Sequence, residues 1–114
     1  MNYLPFAVVS YLCTMKVIED NIDSLKKLCM RYHVGRLFVF GSAINPSFRP
    51  DSDIDFLVSF KKIRIEDYAD NYFDFKFSLK DLFNREVDLL EEKAIKNPYL
   101  LKSINSTKKL VYEA

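Results

Sequence analysis

The sequence predicts a small α/β domain, of the α+β kind, in which helices pack on a mixed sheet of three or four strands. Three observations point there. Apolar residues recur at helical steps over 18–33 and again over 65–83. Short apolar runs at 37–40, 53–60 and 86–90 lie between and after them. At 114 residues the chain has the length of one ordinary domain.

Composition supports a packed core. Hydrophobic residues make up 49% of the chain and there are only two glycines, which leaves no room for a long structureless tract. The formal charge is +1, so no strong field draws the protein to nucleic acid or to an acidic membrane, and direct nucleic-acid binding is not expected. Two cysteines, Cys13 and Cys29, make neither a disulfide framework nor a zinc spacing and read as reduced thiols of a cytoplasmic protein. The apolar stretch "YLPFAVVSYLC" at 3–13 is shorter than the ~20 residues a bilayer span needs, and no membrane association is expected. Met15 opens a fresh amphipathic pattern, so residues 1–14 read as an N-terminal extension and 15–114 as the domain.

The first helix is expected over 18–33. Ile18, Ile22, Leu25, Cys29 and Tyr32 share one face, Glu19 and Asp20 lie in the first turn, and Gly35 supplies the stop. His33, the sole histidine, falls at its end as a surface or capping residue rather than a ligand. Leu37-Phe38-Val39-Phe40 has no alternation and predicts a central strand buried on both faces. It stops at Gly41-Ser42, and residues 43–52, with Pro46 and Pro50, read as a loop with a short helical piece.

Residues 53–60, "DIDFLVSF", alternate: Ile54, Phe56, Val58 and Phe60 on one face, Asp53, Asp55, Leu57 and Ser59 on the other. A long helix follows from about Ile65 to Phe83, with Tyr68, Tyr72, Phe75, Leu79 and Leu82 as its apolar stripe and Asn84 as a left-handed terminator. Not all of its aromatics can face inward, and an exposed Phe73 or Phe77 would mark a partner or self-association surface, a homodimer included. Glu86–Leu90 predicts a third strand, Pro98 opens a last short helix, and "KKLVYEA" adds an edge strand or a tail.

Asp53, Asp55 and Asp88 require a reason. Acids within strands that head for a core are costly unless something offsets their charge. Asp53 and Asp55 leave the same face, with Cα atoms roughly 6.6–7 Å apart. If the strand of Asp88 is a neighbour, three carboxylates meet on one face. With no His or Cys beside them, they form a hard oxygen site suited to Mg²⁺ or Mn²⁺, and Mg²⁺ completes its shell with water and substrate phosphates. Gly41-Ser42 supplies the matching half. A glycine at a strand end lets the backbone turn and approach a ligand, and the serine hydroxyl and nearby amides can donate to phosphate oxygens. A lone Gly-Ser or a lone Asp-x-Asp is common; strand, Gly-Ser, ten residues, Asp-x-Asp on a strand, helix and an Asp-bearing strand together are far more specific.

That joint pattern resembles the nucleotidyltransferase superfamily that includes DNA polymerase beta. The "VDLL" of residues 87–90 is similar to the strand of its third acid, and the length resembles the minimal nucleotidyltransferase (MNT) branch, of which "KNPYLLKSIN" is also typical. The resemblance covers about residues 15–112. It implies that Asp53 and Asp55 hold two Mg²⁺ ions, that Asp88 shares the catalytic one and helps deprotonate the acceptor, and that Gly41 and Ser42 hold phosphates of a nucleoside triphosphate, ATP. It implies AMP transfer to a hydroxyl with release of pyrophosphate.

The short chain also resembles antitoxins paired with a helical HEPN-domain toxin, which implies a tyrosine of that toxin as acceptor. Two other outcomes stay open: an MNT domain of low activity that neutralises its partner by occlusion, and transfer to a small molecule of aminoglycoside type. Relatives often carry Arg-x-Arg-Gly or Tyr-Ala-Arg-Gly after Gly-Ser, where this chain has Ala43-Ile44-Asn45-Pro46. The departure bears on rate and triphosphate affinity. It leaves all three acids in place, and an active enzyme is the expectation.

Overall fold

In the computed structural model, residues 16–40 and 53–114 are described. Their main elements are the helices α1 (Ile22–Arg31), α2 (Ile65–Phe83) and α3 (Pro98–Thr107) and the strands β1 (Val34–Phe40), β2 (Ile54–Phe60), β3 (Val87–Glu91) and β4 (Lys109–Glu113). The sheet order is β3-β2-β1-β4. β1 runs antiparallel to both its neighbours, and β2 and β3 are parallel, so the sheet is mixed as expected.

Each face of the sheet has its own cover. Ile54, Phe56 and Val58 of β2, with Leu37, Val39, Val87 and Leu89 of the neighbouring strands, pack in one cluster with Leu25 and Cys29 of α1 and Phe75, Leu79 and Phe83 of α2. Phe38 and Leu57 point the other way and pack against Ile104 of α3. The two-sided apolar run of β1 is therefore explained: its alternate side chains serve different clusters. The C-terminal stretch resolves as the edge strand β4 and not a tail.

The first helical segment differs from expectation in two ways. Residues 16–20 are helical, but a turn at Asn21 separates them from α1, and the Asn21 side chain donates to the Val17 carbonyl at 2.8 Å. A short polar side chain that bonds to nearby backbone competes with the helical ladder. The stop is also not Gly35. The chain leaves the helix through His33, which adopts φ 59°, and Gly35 lies within β1. There the register with β2 shifts between Val34 and Arg36, and a Cβ on Gly35 would meet the Ser59 carbonyl oxygen at 3.1 Å. The glycine serves a bulge and a close backbone approach.

Two other terminators are as expected. Asn84 ends α2 with φ 52°. Pro98 is the first residue of α3, behind Asn97, whose side-chain oxygen accepts from the Tyr99 and Leu100 amides at 2.9 and 3.3 Å. α2 is tied to the end of α1 by Asn71, which donates to the Tyr32 carbonyl at 2.8 Å.

Candidate active site

β2 and β3 bring two of the three acids together. In their parallel ladder Ile54 pairs with Val87, Asp55 with Asp88 and Phe56 with Leu89. Ile54, Phe56, Val87 and Leu89 are buried under α1 and α2, so the alternation sends Asp55 and Asp88 to the opposite face. Paired residues on adjacent strands stand about 4.8 Å apart. Asp55 is half-buried and Asp88 exposed. Asp53 is exposed and immediately precedes β2, two residues before Asp55.

Asp55 also pairs with Phe40, the last residue of β1. Gly41 and Ser42 follow it in the chain but lie outside the described residues, as do Cys13, the 1–14 extension and the Ala43–Pro46 segment.

The donor set suits a hard divalent cation: carboxylates only, with no thiol or imidazole beside them. Backbone register fits such a site for Asp55 and Asp88. Among the described residues, however, no three His, Cys, Asp or Glu side chains converge closely enough to hold an ion. Carboxylates on one face repel unless a cation stands between them.

The pattern of residues did not single out Tyr72, which its spacing assigned only to the apolar stripe of α2. β3 lies at the sheet edge, so its alternate backbone groups face outward. The Tyr72 hydroxyl donates to one of them, the Leu89 carbonyl, next to Asp88. Burial pushes the Tyr72 hydroxyl pKa up, and the negative charges of Asp88 and Glu91 push it further the same way. It remains a neutral donor that ties the acid-bearing strand to α2.

The aromatics of α2 divide. Phe75 is fully buried, while Phe73 and Phe77 are 50% and 55% exposed, their rings stacked with centroids 6.4 Å apart. Cys29 is buried in the core, which pushes its thiol up to about 12 and makes it an inert packing residue. His33 is exposed, in line with a capping role. Among the described residues no helix is long and apolar enough to cross a membrane.

Comparison with known proteins agrees with this architecture. The sequence pattern of the family described as "Polymerase beta, Nucleotidyltransferase" matches residues 23–114. The chain belongs to the polymerase beta nucleotidyltransferase family. It is thus a nucleotidyltransferase by family, with the mixed sheet and flanking helices of that fold.

Two relatives from Methanocaldococcus jannaschii share the name "Putative protein adenylyltransferase". MJ0128 is 39% identical over 94 residues, covering 79% of this chain and 93% of its own. MJ0126 is 33% identical over 99 residues, covering 80% and 91%. Among solved structures, a "putative minimal nucleotidyltransferase" superposes with a TM-score of 0.65 at 26% identity, covering 82% of this chain and 92% of that one. An MNT antitoxin solved in complex with the tri-AMPylated HEPN toxin of Shewanella oneidensis shares the fold, with a TM-score of 0.58 at 17% identity over 84% of this chain and 72% of that one.

Proposed function

We propose that this nucleotidyltransferase is a Mg²⁺-dependent protein adenylyltransferase that moves AMP from ATP to a tyrosine of a HEPN-type toxin and so acts as an antitoxin in the cytoplasm. The observation that carries the reading is the Asp55–Asp88 pairing on adjacent strands, on the face opposite α1 and α2. The name shared by the M. jannaschii relatives and the AMPylated toxin seen with a neighbour of the same fold support the acceptor class.

In this reading Asp53, Asp55 and Asp88 would hold the divalent ions, with Mn²⁺ an alternative to Mg²⁺. When bound, the ions offset charge on the attacking and leaving oxygens. Gly41 and Ser42 would hold the triphosphate. Asp88 accepts the proton of the acceptor hydroxyl, whose oxygen forms a bond to the α-phosphorus as the bond to pyrophosphate breaks. Burial of Val87 and Leu89 on either side, together with the Tyr72 bond to Leu89, fixes the strand that presents Asp88. The exposed Phe73–Phe77 pair offers apolar area to a protein partner.

A second reading has its own support. The Ala43–Pro46 segment stands where relatives often carry an arginine, which fits a domain that neutralises its partner by binding alone. One experiment separates the two: incubate the chain with ATP, Mg²⁺ and the partner, and record intact masses. A gain of one or more AMP units, abolished by EDTA and by the double change Asp53→Asn/Asp55→Asn, is the expected result. An unmodified partner that the double variant still neutralises would sink the catalytic reading.

A further inference from the structure

The sheet face that carries Asp55 holds a cavity of about 530 Å³ at its other end. Arg36 on β1, Ser59 on β2, Glu92 and Lys93 after β3, and Asn105 and Lys108 from α3 and its end line it. The register explains how they meet. Arg36 pairs with Ser59, and Val58 pairs with Glu91, so Glu92 continues the row beside Ser59. Ser59 is four residues beyond Asp55, about 13 Å along the strand. Between them lies the buried cluster of Phe38, Leu57 and Ile104. The cavity is therefore separate from the three acids.

Its charge is unbalanced. Three cations and one carboxylate line it, and that carboxylate is poorly used. The Arg36 guanidinium lies 3.7 Å from Glu92 Oε2, beyond hydrogen-bond length. The same oxygen is buried without a hydrogen bond. Lys93 and Lys108 have no ion-pair partner among the described residues. Lys108 Nζ sits 4.4 Å from the centre of the Phe38 ring and the Arg36 guanidinium 6.0 Å from it, so one aromatic ring has two cationic heads beside it.

We propose that this cavity binds a phosphate-bearing small molecule. The chemistry favours phosphate over carboxylate. A carboxylate offers two oxygens and one charge, whereas a phosphoryl group offers three oxygens and up to two charges to the three cations. The Arg36 fork can take two of those oxygens at once. Ser59 and Asn105 add neutral donors at the same cavity. Glu92 holds the place of the anion beside Arg36 and weakens its binding by like-charge repulsion. The site uses none of the catalytic acids and requires no divalent ion.

The test is calorimetric titration of the full chain in EDTA with inorganic pyrophosphate and, separately, with AMP. Saturable binding of at least one is expected, and it persists in the Asp53→Asn/Asp55→Asn variant. Equal affinity for the two assigns recognition to the phosphate group alone; tighter AMP binding assigns it to a nucleotide. Lys93→Ala/Lys108→Ala weakens binding about tenfold or more. Glu92→Gln tightens it severalfold, a gain that misfolding cannot imitate. Absence of saturable binding of both probes overturns the proposal, as does binding unchanged by the lysine substitutions or lost in the aspartate variant.

Discussion

Asp55 and Asp88 are direct partners in the parallel β2–β3 ladder, although 33 positions separate them in the chain. Their adjacency follows from α2, which crosses from the end of β2 back to the start of β3 and makes the two strands parallel. Asp88 is exposed and supports no packing, so Asp88→Asn should leave stability within about 0.5 kcal/mol of the parent. If Asp88 takes the acceptor proton, the same change lowers nucleotidyl transfer by ~10²–10⁴-fold. Urea denaturation and the rate of AMP incorporation are the paired measurements. Equal loss of stability and activity would assign Asp88 to structure instead.

The Tyr72–Leu89 bond joins α2 to an otherwise open sheet edge. Tyr72→Phe keeps the ring and removes the donor, at a cost of about 1 kcal/mol. Amide exchange within β3 should accelerate more than in β1, which is flanked on both sides. Uniform acceleration across the sheet would show that the bond is not specific to the edge.

Much of this fold was legible in the sequence because its strongest signals are periodic. The stripe Ile18, Leu25 and Cys29 and the stripe Phe75 and Leu79 are buried together as their spacing required. The alternation of β2 separated the buried Ile54, Phe56 and Val58 from Asp55. Gly35 misled because glycine serves helix ends and strand bulges alike, and only the approach of the Ser59 carbonyl distinguishes them. Tyr72 carried no local signal, since its partner is a backbone carbonyl on a distant strand. The Arg36–Glu92 cavity is invisible for the same reason: its charges come from β1, the turn after β3 and the end of α3.

His33 occupies the left-handed region at φ 59°, where a Cβ crowds the following carbonyl. It is exposed, so replacement removes little packing. His33→Gly should stabilise the chain by up to about 1 kcal/mol, the relief of strain exceeding the added freedom of the unfolded chain. His33→Val should destabilise it, since a β-branched residue resists this conformation. Thermal denaturation of the pair checks the order; the reverse ranking would mean that the imidazole makes an interaction worth more than the strain.

Leu57 lies between the Asp55–Asp88 pair and the Arg36–Glu92 cavity on the sheet face and is fully buried against Phe38 and Ile104. Leu57→Ala should cost about 2–5 kcal/mol. It should also loosen α3, whose one buried residue, Ile104, packs there. Proteolysis at the α3–β4 junction should then increase before global unfolding, whereas simultaneous loss of all elements would show that α3 is held by contacts other than this cluster.

Alkaline pH should weaken the fold through three weak acids, Cys29 in the core and the partly buried Tyr68 and Tyr72 packed against it. Burial raises the Cys29 thiol from an ordinary value near 9.0 to about 12, and raises the Tyr68 and Tyr72 hydroxyls above their ordinary 10.0. In each case the folded state holds its proton more tightly than the unfolded chain. Their contribution is complete below the unfolded pKa values and declines as pH rises from about 9 toward the folded ones. The urea midpoint should therefore fall progressively above pH 9. Cys29→Ala should be less stable at pH 7 through its lost packing, yet show a shallower decline between pH 9 and 12. A decline as steep as the parent's would exclude the Cys29 thiol as a source of the alkaline sensitivity.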